Sequence, residues 1–404
     1  MEIIKQTNFD FLGKKWPFII ASLILTMAGL ASLAIKGGPK YGIDFNGGAL
    51  MEVNFLKRPA ADAVRAAVHK RVTGEIEVQD ISGSQEVLIT TEARDERQSD
   101  RVRKDIIDSL NESFGDRSGK VDINNIGQLS LADALRDPLQ KAAVPMNEDQ
   151  LQALAKAILS YRDTERSGLL QSLDELKNVP GMNPAALAVI KQVCSPNNFA
   201  IRRVEIVGPK IGADLRAQAI RTVLLALAAM LVYIAFRFEW IYGVAAVIAV
   251  FHDTIITIGL FSIFNKEIDL TVIAALLTLV GYSMNDTIVT FDRIRENIKL
   301  QRRGTFTEIV NASINQTLSR TILTSGLTLL TALSLYFFGG QVLSGFSFAL
   351  VFGILVGTYS SIFVASPILI FWKDVADRKQ KTRKAGPGRV ESVNAEKRPS
   401  RVGK

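Results

Sequence analysis

Apolar and polar positions are distributed along this chain in a way that no soluble core explains. Residues 321–372 carry no charged side chain, whereas a membrane helix needs about 20 apolar residues. Gly339-Gly340-Gln341 and Ser344-Gly345 divide that run into spans at 321–338 and 346–372. Further apolar runs at 16–35, 219–236, 240–264 and 270–291 bring the total to six predicted spans. The first is flanked by Lys14-Lys15 and Lys36 and is followed by no small-x-small cleavage site. It therefore reads as a retained helix, not a removed signal.

Residues 36–218 have ordinary soluble composition and read as alternating elements. Residues 49–55 alternate like a strand, and Pro59-Ala60-Ala61-Asp62 opens a helix to about Arg71. Strands at 75–80 and 86–91 are joined by the turn Ser82-Gly83-Ser84, and a charged amphipathic helix covers about 96–114. A last strand at 201–207 leads through Gly208-Pro209 into the second span. Two helices on one face of a small antiparallel sheet make a ferredoxin-like α+β unit. A helical insertion at about 115–200 interrupts it. Leu173-x-x-Leu176-x-x-Val179-Pro180-Gly181-Met182, followed by Pro184, has the form of a helix-hairpin-helix. Asn183 replaces its usual second glycine, so a structural or protein-docking role is expected there. The expected fold class is a polytopic α-helical membrane protein with six transmembrane helices and a ferredoxin-like α+β extracytoplasmic domain carrying this insertion.

Charge fixes the expected orientation. Of the net +8, most comes from the tail after Trp372, which holds eleven Lys/Arg against four Asp/Glu. Arg293, Arg295, Lys299, Arg302, Arg303 and Arg320 lie between spans four and five or at their ends, while the opposite short loops hold only Lys266. Positive residues stay inside. Residues 1–15 and the basic tail 373–404, read as disordered, are thus expected in the cytoplasm, and 36–218 outside. A tail of this kind lies near anionic membrane lipid and is no nucleic-acid site. Two histidines and one cysteine exclude a Cys/His zinc framework and an intrachain disulfide. Cys194 reads as a small buried hydrophobe. With no nucleophile–base pair, phosphate loop or metal cluster, neither an enzyme nor a cofactor is expected.

The candidate chemistry lies in the spans, because ionisable groups within a bilayer are costly. Asp286 sits in Gly281-Tyr282-Ser283-Met284-Asn285-Asp286-Thr287, about 24 Å along span four from its start. His252 and Asp253 lie near the middle of span three, and Arg320 marks the inner start of span five. Loss of water disfavours a charged carboxyl and a nearby guanidinium favours it, so such a set can take up and release protons. The competing reading is a set of static polar contacts between helices. Gly353-x-x-x-Gly357 is a small-x-x-x-small pair that permits close helix approach.

Several of these segments together resemble the SecD/SecF family of protein-export membrane proteins, in its SecF branch. Gly42-Ile43-Asp44-Phe45-Asn46-Gly47-Gly48 is similar to the family's D-F-x-G-G motif. Val207-Gly208-Pro209 with Gly212, Phe251-His252-Asp253, Ser319-Arg320-Thr321 and the glycine-rich last span also fit. GYSMNDTIVTFDRIREN, residues 281–297, is the strongest match.

The resemblance implies half of an RND-like bundle in a bacterial inner membrane, with the large domain in the periplasm. It implies SecD, the SecYEG channel and YajC as partners, and unfolded preproteins as substrates moved with the proton-motive force. It ties Asp286 and Arg320 to proton passage, with Asp253 and His252 as further proton-coupling candidates. Asp44, Phe45, Gly47, Gly48, Asn285 and Thr287 are its structural motif residues. The alternatives are a half-size RND-type exporter of small molecules or lipids, and a structural subunit without proton coupling.

Overall fold

The computed structural model describes residues 7–81, 84–92, 96–144, 146–237, 240–300 and 304–384. A first long helix, α1 (Lys15–Ile35), is followed by the short α2 (Ile43–Asn46). Then come β1 (Gly48–Phe55), α3 (Ala61–Val68), β2 (Ile76–Asp80), β3 (Glu86–Glu92) and α4 (Glu96–Phe114). The insertion comprises β4 (Val121–Asp122), α5 (Gln128–Lys141), α6 (Glu148–Glu165), a 3₁₀ turn at Leu173–Asn178, α7 (Pro184–Val193) and β5 (Cys194–Ser195). The chain returns through β6 (Phe199–Val207) to α8 (Pro209–Arg237), α9 (Trp240–Ile263), α10 (Leu270–Leu300) and α11 (Phe306–Phe338). It ends in α12 (Ser344–Ser360), a π-helical turn at Ser361–Ala365, and α13 (Ser366–Lys384).

The four-stranded antiparallel sheet has the order β2-β3-β1-β6. With α3 and α4 in their chain positions this is the ferredoxin-like arrangement. Ala49, Met51, Val53 and Phe55 of β1 alternate inward, meeting Val64 and Val68 of α3 and Ile106 and Leu110 of α4. The expected turn at Ser82-Gly83 lies outside the described residues. The insertion has an apolar core of its own, built on Leu131, Leu135, Ile158, Leu176 and Ile190. Cys194 is buried in it, and burial pushes its thiol up to about 11. The first half of the expected helix-hairpin is a 3₁₀ turn, because Val179-Pro180 stops it after one capping box at Ser172.

Among the described residues, six helices are long and apolar enough to cross a membrane. α9, α10 and the α12–α13 pair form the packed centre, while α1, α8 and α11 lie around it with largely exposed apolar faces. Several helices overrun their apolar spans, α8 at its start from Pro209. α10 continues past 291 to Leu300, and α11 begins at Phe306, capped by the reciprocal Thr305–Glu308 bonds. Hydropathy marks where lipid ends, not where backbone pairing ends. The last span likewise runs on into the basic tail as helix to Lys384, where Lys373 pairs with Asp377 at i,i+4. The expected disorder of that tail therefore does not hold for 373–384, and residues 385–404 lie outside the described residues.

Candidate functional site

The D-F-x-G-G segment is a joint between sheet and bundle. Gly47 has φ +77°, and a side chain there would sit 2.6 Å from Pro209 Cα. Gly48 has φ +147° and would drive a side chain into the Thr91 carbonyl. Only glycine serves at both positions. Phe45 is buried, packed beside Ala219 and Ile268, and its carbonyl lies where a side chain on Gly212 would be. The Asp44 carboxylate accepts the Leu270 N–H at 3.0 Å, which ties it to the first turn of α10. Backbone bonds Gly42 N–H to Ile268 and Ile268 N–H to Lys40 add a short parallel bridge to the same loop. Lys40 joins Glu77 of β2 to Glu267 at 3.2 Å. Burial holds the Glu267 carboxyl above its ordinary range, against the pull of Lys40.

α10 then carries the candidate chemistry inward. Asp286 is 2% exposed and accepts one hydrogen bond, from Ser325 Oγ of α11 at 3.0 Å. Arg320 lies on the same helix as Ser325, is exposed, and makes no ion pair or hydrogen bond through its side chain among the described residues. The structure thus brings Asp286 to Ser325 and leaves Arg320 acting only through its charge. Asn285 is exposed, and Thr287 bonds back to the Ser283 carbonyl at 3.1 Å.

One turn away, Asp253 of α9 is held very differently. Its Oδ2 accepts from Ser283 of α10 at 2.6 Å and from Ser360 of α12 at 2.7 Å. Its Oδ1 lies 2.9 Å from His252 Nδ1, and His252 Nε2 meets Ser22 of α1. With Asp253 ionised and the imidazole neutral, Nδ1 carries the proton and Nε2 accepts from the serine. Three helices meet at this carboxylate, and a fourth, α1, joins through His252. Small residues make the approach possible. Gly353 and Gly357 of α12 face Leu279 and Ser283 of α10, with the Ser283 Cβ 3.1 Å from where a Gly357 side chain would begin. Gly29 and Gly259 do the same for α1 and α9.

The sequence reading missed Ser283 and Ser360 as partners of Asp253, Ser325 as the partner of Asp286, and Ser22 as the partner of His252. It also missed Asn311 and Asn315. These two α11 side chains bind the backbone of Phe9, Phe11 and Leu12, strapping the N-terminal segment to the helix of Arg320. Serine is common in membrane helices, and only the i,i+4 spacing of Asn311 and Asn315 was a usable signal.

Comparison with known proteins places this geometry in a family. Residues 188–375 match the family described as protein export membrane protein SecD/SecF, C-terminal. The protein translocase subunit SecF of Koribacter versatilis (strain Ellin345) is 48% identical over 399 residues, covering 96% of this chain and 97% of that protein. SecF of Escherichia coli O157:H7 is 34% identical over 365 residues, covering 90% and 87%. The crystal structure of SecDF from Thermus thermophilus, a translocon-associated membrane protein, matches with a TM-score of 0.61 and 30% identity. That match covers 91% of this chain and 39% of the SecDF chain. A second SecDF structure, in a super-membrane-facing form, gives 0.55 with 94% and 41% covered. This chain therefore spans about two fifths of the SecDF chains it matches. With its six apolar helices, its sheet domain and its near full-length likeness to these subunits, the chain belongs to the SecF family of protein translocase subunits.

Proposed function

We propose that this chain works with SecD as an accessory subunit of the Sec translocase, using the proton-motive force to draw unfolded preproteins outward through SecYEG. YajC is a further partner in this reading. The sheet domain lies in the periplasm of a bacterial inner membrane and both termini face the cytoplasm. The role is that of a transport subunit, without enzymatic turnover or cofactor.

The observation that carries the reading is Asp286, a buried carboxylate with one serine donor and an exposed, unpaired guanidinium one turn along the neighbouring helix. Protonated, Asp286 suits its apolar surroundings. Ionised, it attracts Arg320, and the two states favour different placements of α11 against α10. One charge crossing 100 mV yields roughly 2.3 kcal/mol, and proton entry on one side with release on the other makes that energy available. Asp44, bound to the first turn of the same α10, passes the movement to the sheet domain. Asp253 and His252 tie α10 to α9, α12 and α1, so that these helices shift as one body against α11.

Export into inverted membrane vesicles tests this, with the preprotein arrested after its ATP-driven start. Asp286→Asn keeps size and hydrogen bonding but cannot ionise. The variant should insert and assemble normally, and its export rate with a proton gradient should fall to the rate without one. A gradient-stimulated rate equal to wild type would leave only a structural subunit.

A further inference from the structure

Between α4, the insertion and β6 lies a pocket of about 280 Å³ that the proton site does not use. Four arginines line it: Arg103 of α4, Arg162 of α6, and Arg202 and Arg203 of β6. Asn124 and Asn125 complete the polar wall, and no Asp or Glu is among the described residues that line it. Two of the guanidinium groups are already occupied. Arg162 binds the carbonyls of Ile123, Asn124 and Ile126 and pairs with Asp163, and Arg203 pairs with Glu205. Arg103 and Arg202 are exposed and make no side-chain hydrogen bond or ion pair among the described residues. Glu52 of β1 lies within electrostatic reach of both Arg202 and Arg203 and lines a separate cleft, which Arg203 also borders.

The backbone is arranged to present Arg202. β1 pairs Val53 with Ile201 and Glu52 with Arg203, so Arg202 is the extra residue of a bulge. A bulge turns one side chain away from the regular pleat. On the insertion side, Gly168 has φ +80°, and a side chain there would collide with the Arg202 guanidinium. β6 is also the outermost strand. Asn125 imitates a neighbouring strand at its start, accepting the Ile201 N–H at 2.8 Å and donating to the Phe199 carbonyl at 3.0 Å. Past Ile201 the outward edge has no partner among the described residues.

The geometry points to a binding site for an extended, acidic segment of polypeptide. The segment adds a strand along β6 beyond Ile201, and its Asp or Glu carboxylate is gripped by Arg202 and Arg103. Planar guanidinium forks match a carboxylate, and an open sheet edge accepts an extended backbone. The insertion then has a task, since it supplies one wall of the pocket. The inference rests on the translocase reading only for the source of the segment, an unfolded chain emerging from the membrane.

The full chain in lipid nanodiscs, titrated with a fluorescent peptide alternating Val and Glu, tests the site by anisotropy. The Glu peptide should bind about tenfold or more tightly than its Gln analogue. Arg103→Gln with Arg202→Gln should erase that preference, while Arg136→Gln, elsewhere on the insertion, should not. Equal binding of the Glu and Gln peptides, or an unchanged preference in the double variant with an intact thermal transition, overturns the site. A backbone N-methylated Glu peptide should bind worse. If it binds equally, or if millimolar inorganic phosphate displaces the peptide from wild type, the pocket is a bare anion site and the peptide assignment fails. Asp286→Asn should bind the peptide as wild type does, so loss of export and loss of peptide binding report on separate claims.

Discussion

Asp253 and Asp286 are both nearly free of solvent contact and both touch α10, yet they are held in opposite ways. Asp253 accepts from two serines, lies against its own histidine, and joins α1, α9, α10 and α12. Asp286 has one serine donor and an exposed arginine nearby that does not reach it. A buried carboxylate held by three partners is pinned, because moving it breaks several bonds at once. One with a single partner can change its neighbour by breaking one bond. With burial and residue type alike, the number of partners separates a firmly held carboxylate from a loosely held one.

That contrast is broken most directly at the firmly held carboxylate. Asp253→Ala removes the acceptor shared by three side chains and should cost about 3 kcal/mol, read as a lowered unfolding midpoint in detergent. A midpoint as high as that of wild type would mean the four-helix junction is held by packing alone. Next in size is Gly357→Leu, which wedges α12 away from Ser283 and should cost about 2 kcal/mol. If α12 is free to yield there, the same variant will leave the transition unchanged. Ser325→Ala removes the one donor to Asp286, and a loss of about 1 kcal/mol is expected. A loss as large as that of Asp253→Ala would show that Asp286 is pinned after all.

Smallest of all in stability is Arg320→Met, which should shift the transition by no more than about 0.5 kcal/mol. Gradient-driven export should nonetheless be abolished in that variant and partly retained in Arg320→Lys, which keeps a charge but loses the planar fork. Equal export by Arg320→Met and wild type would detach Arg320 from Asp286.

Much of this architecture was legible before any coordinates. Six spans follow from apolar length, and a ferredoxin-like unit follows from period-two runs separated by amphipathic helices. Gly47 and Gly48 stood out as a motif, and the structure gives the reason: positive φ and a close approach to Pro209 and Thr91. The helix limits were less legible. Charged amphipathic ends of α10, α11 and α13 leave the lipid without leaving the helix, and hydropathy cannot see them.

By itself the sequence determined which carboxylates had to be explained, since an Asp in an apolar span is visible from residue type alone. It could not determine which was held by several partners and which by one. Ser22, Ser283 and Ser360 meet around Asp253 and its histidine from helices far apart in the chain, and their convergence depends on the close crossings at Gly29, Gly259 and Gly357. A hydrogen bond requires an approach of about 3 Å, and tertiary packing alone sets distances of that kind between remote segments.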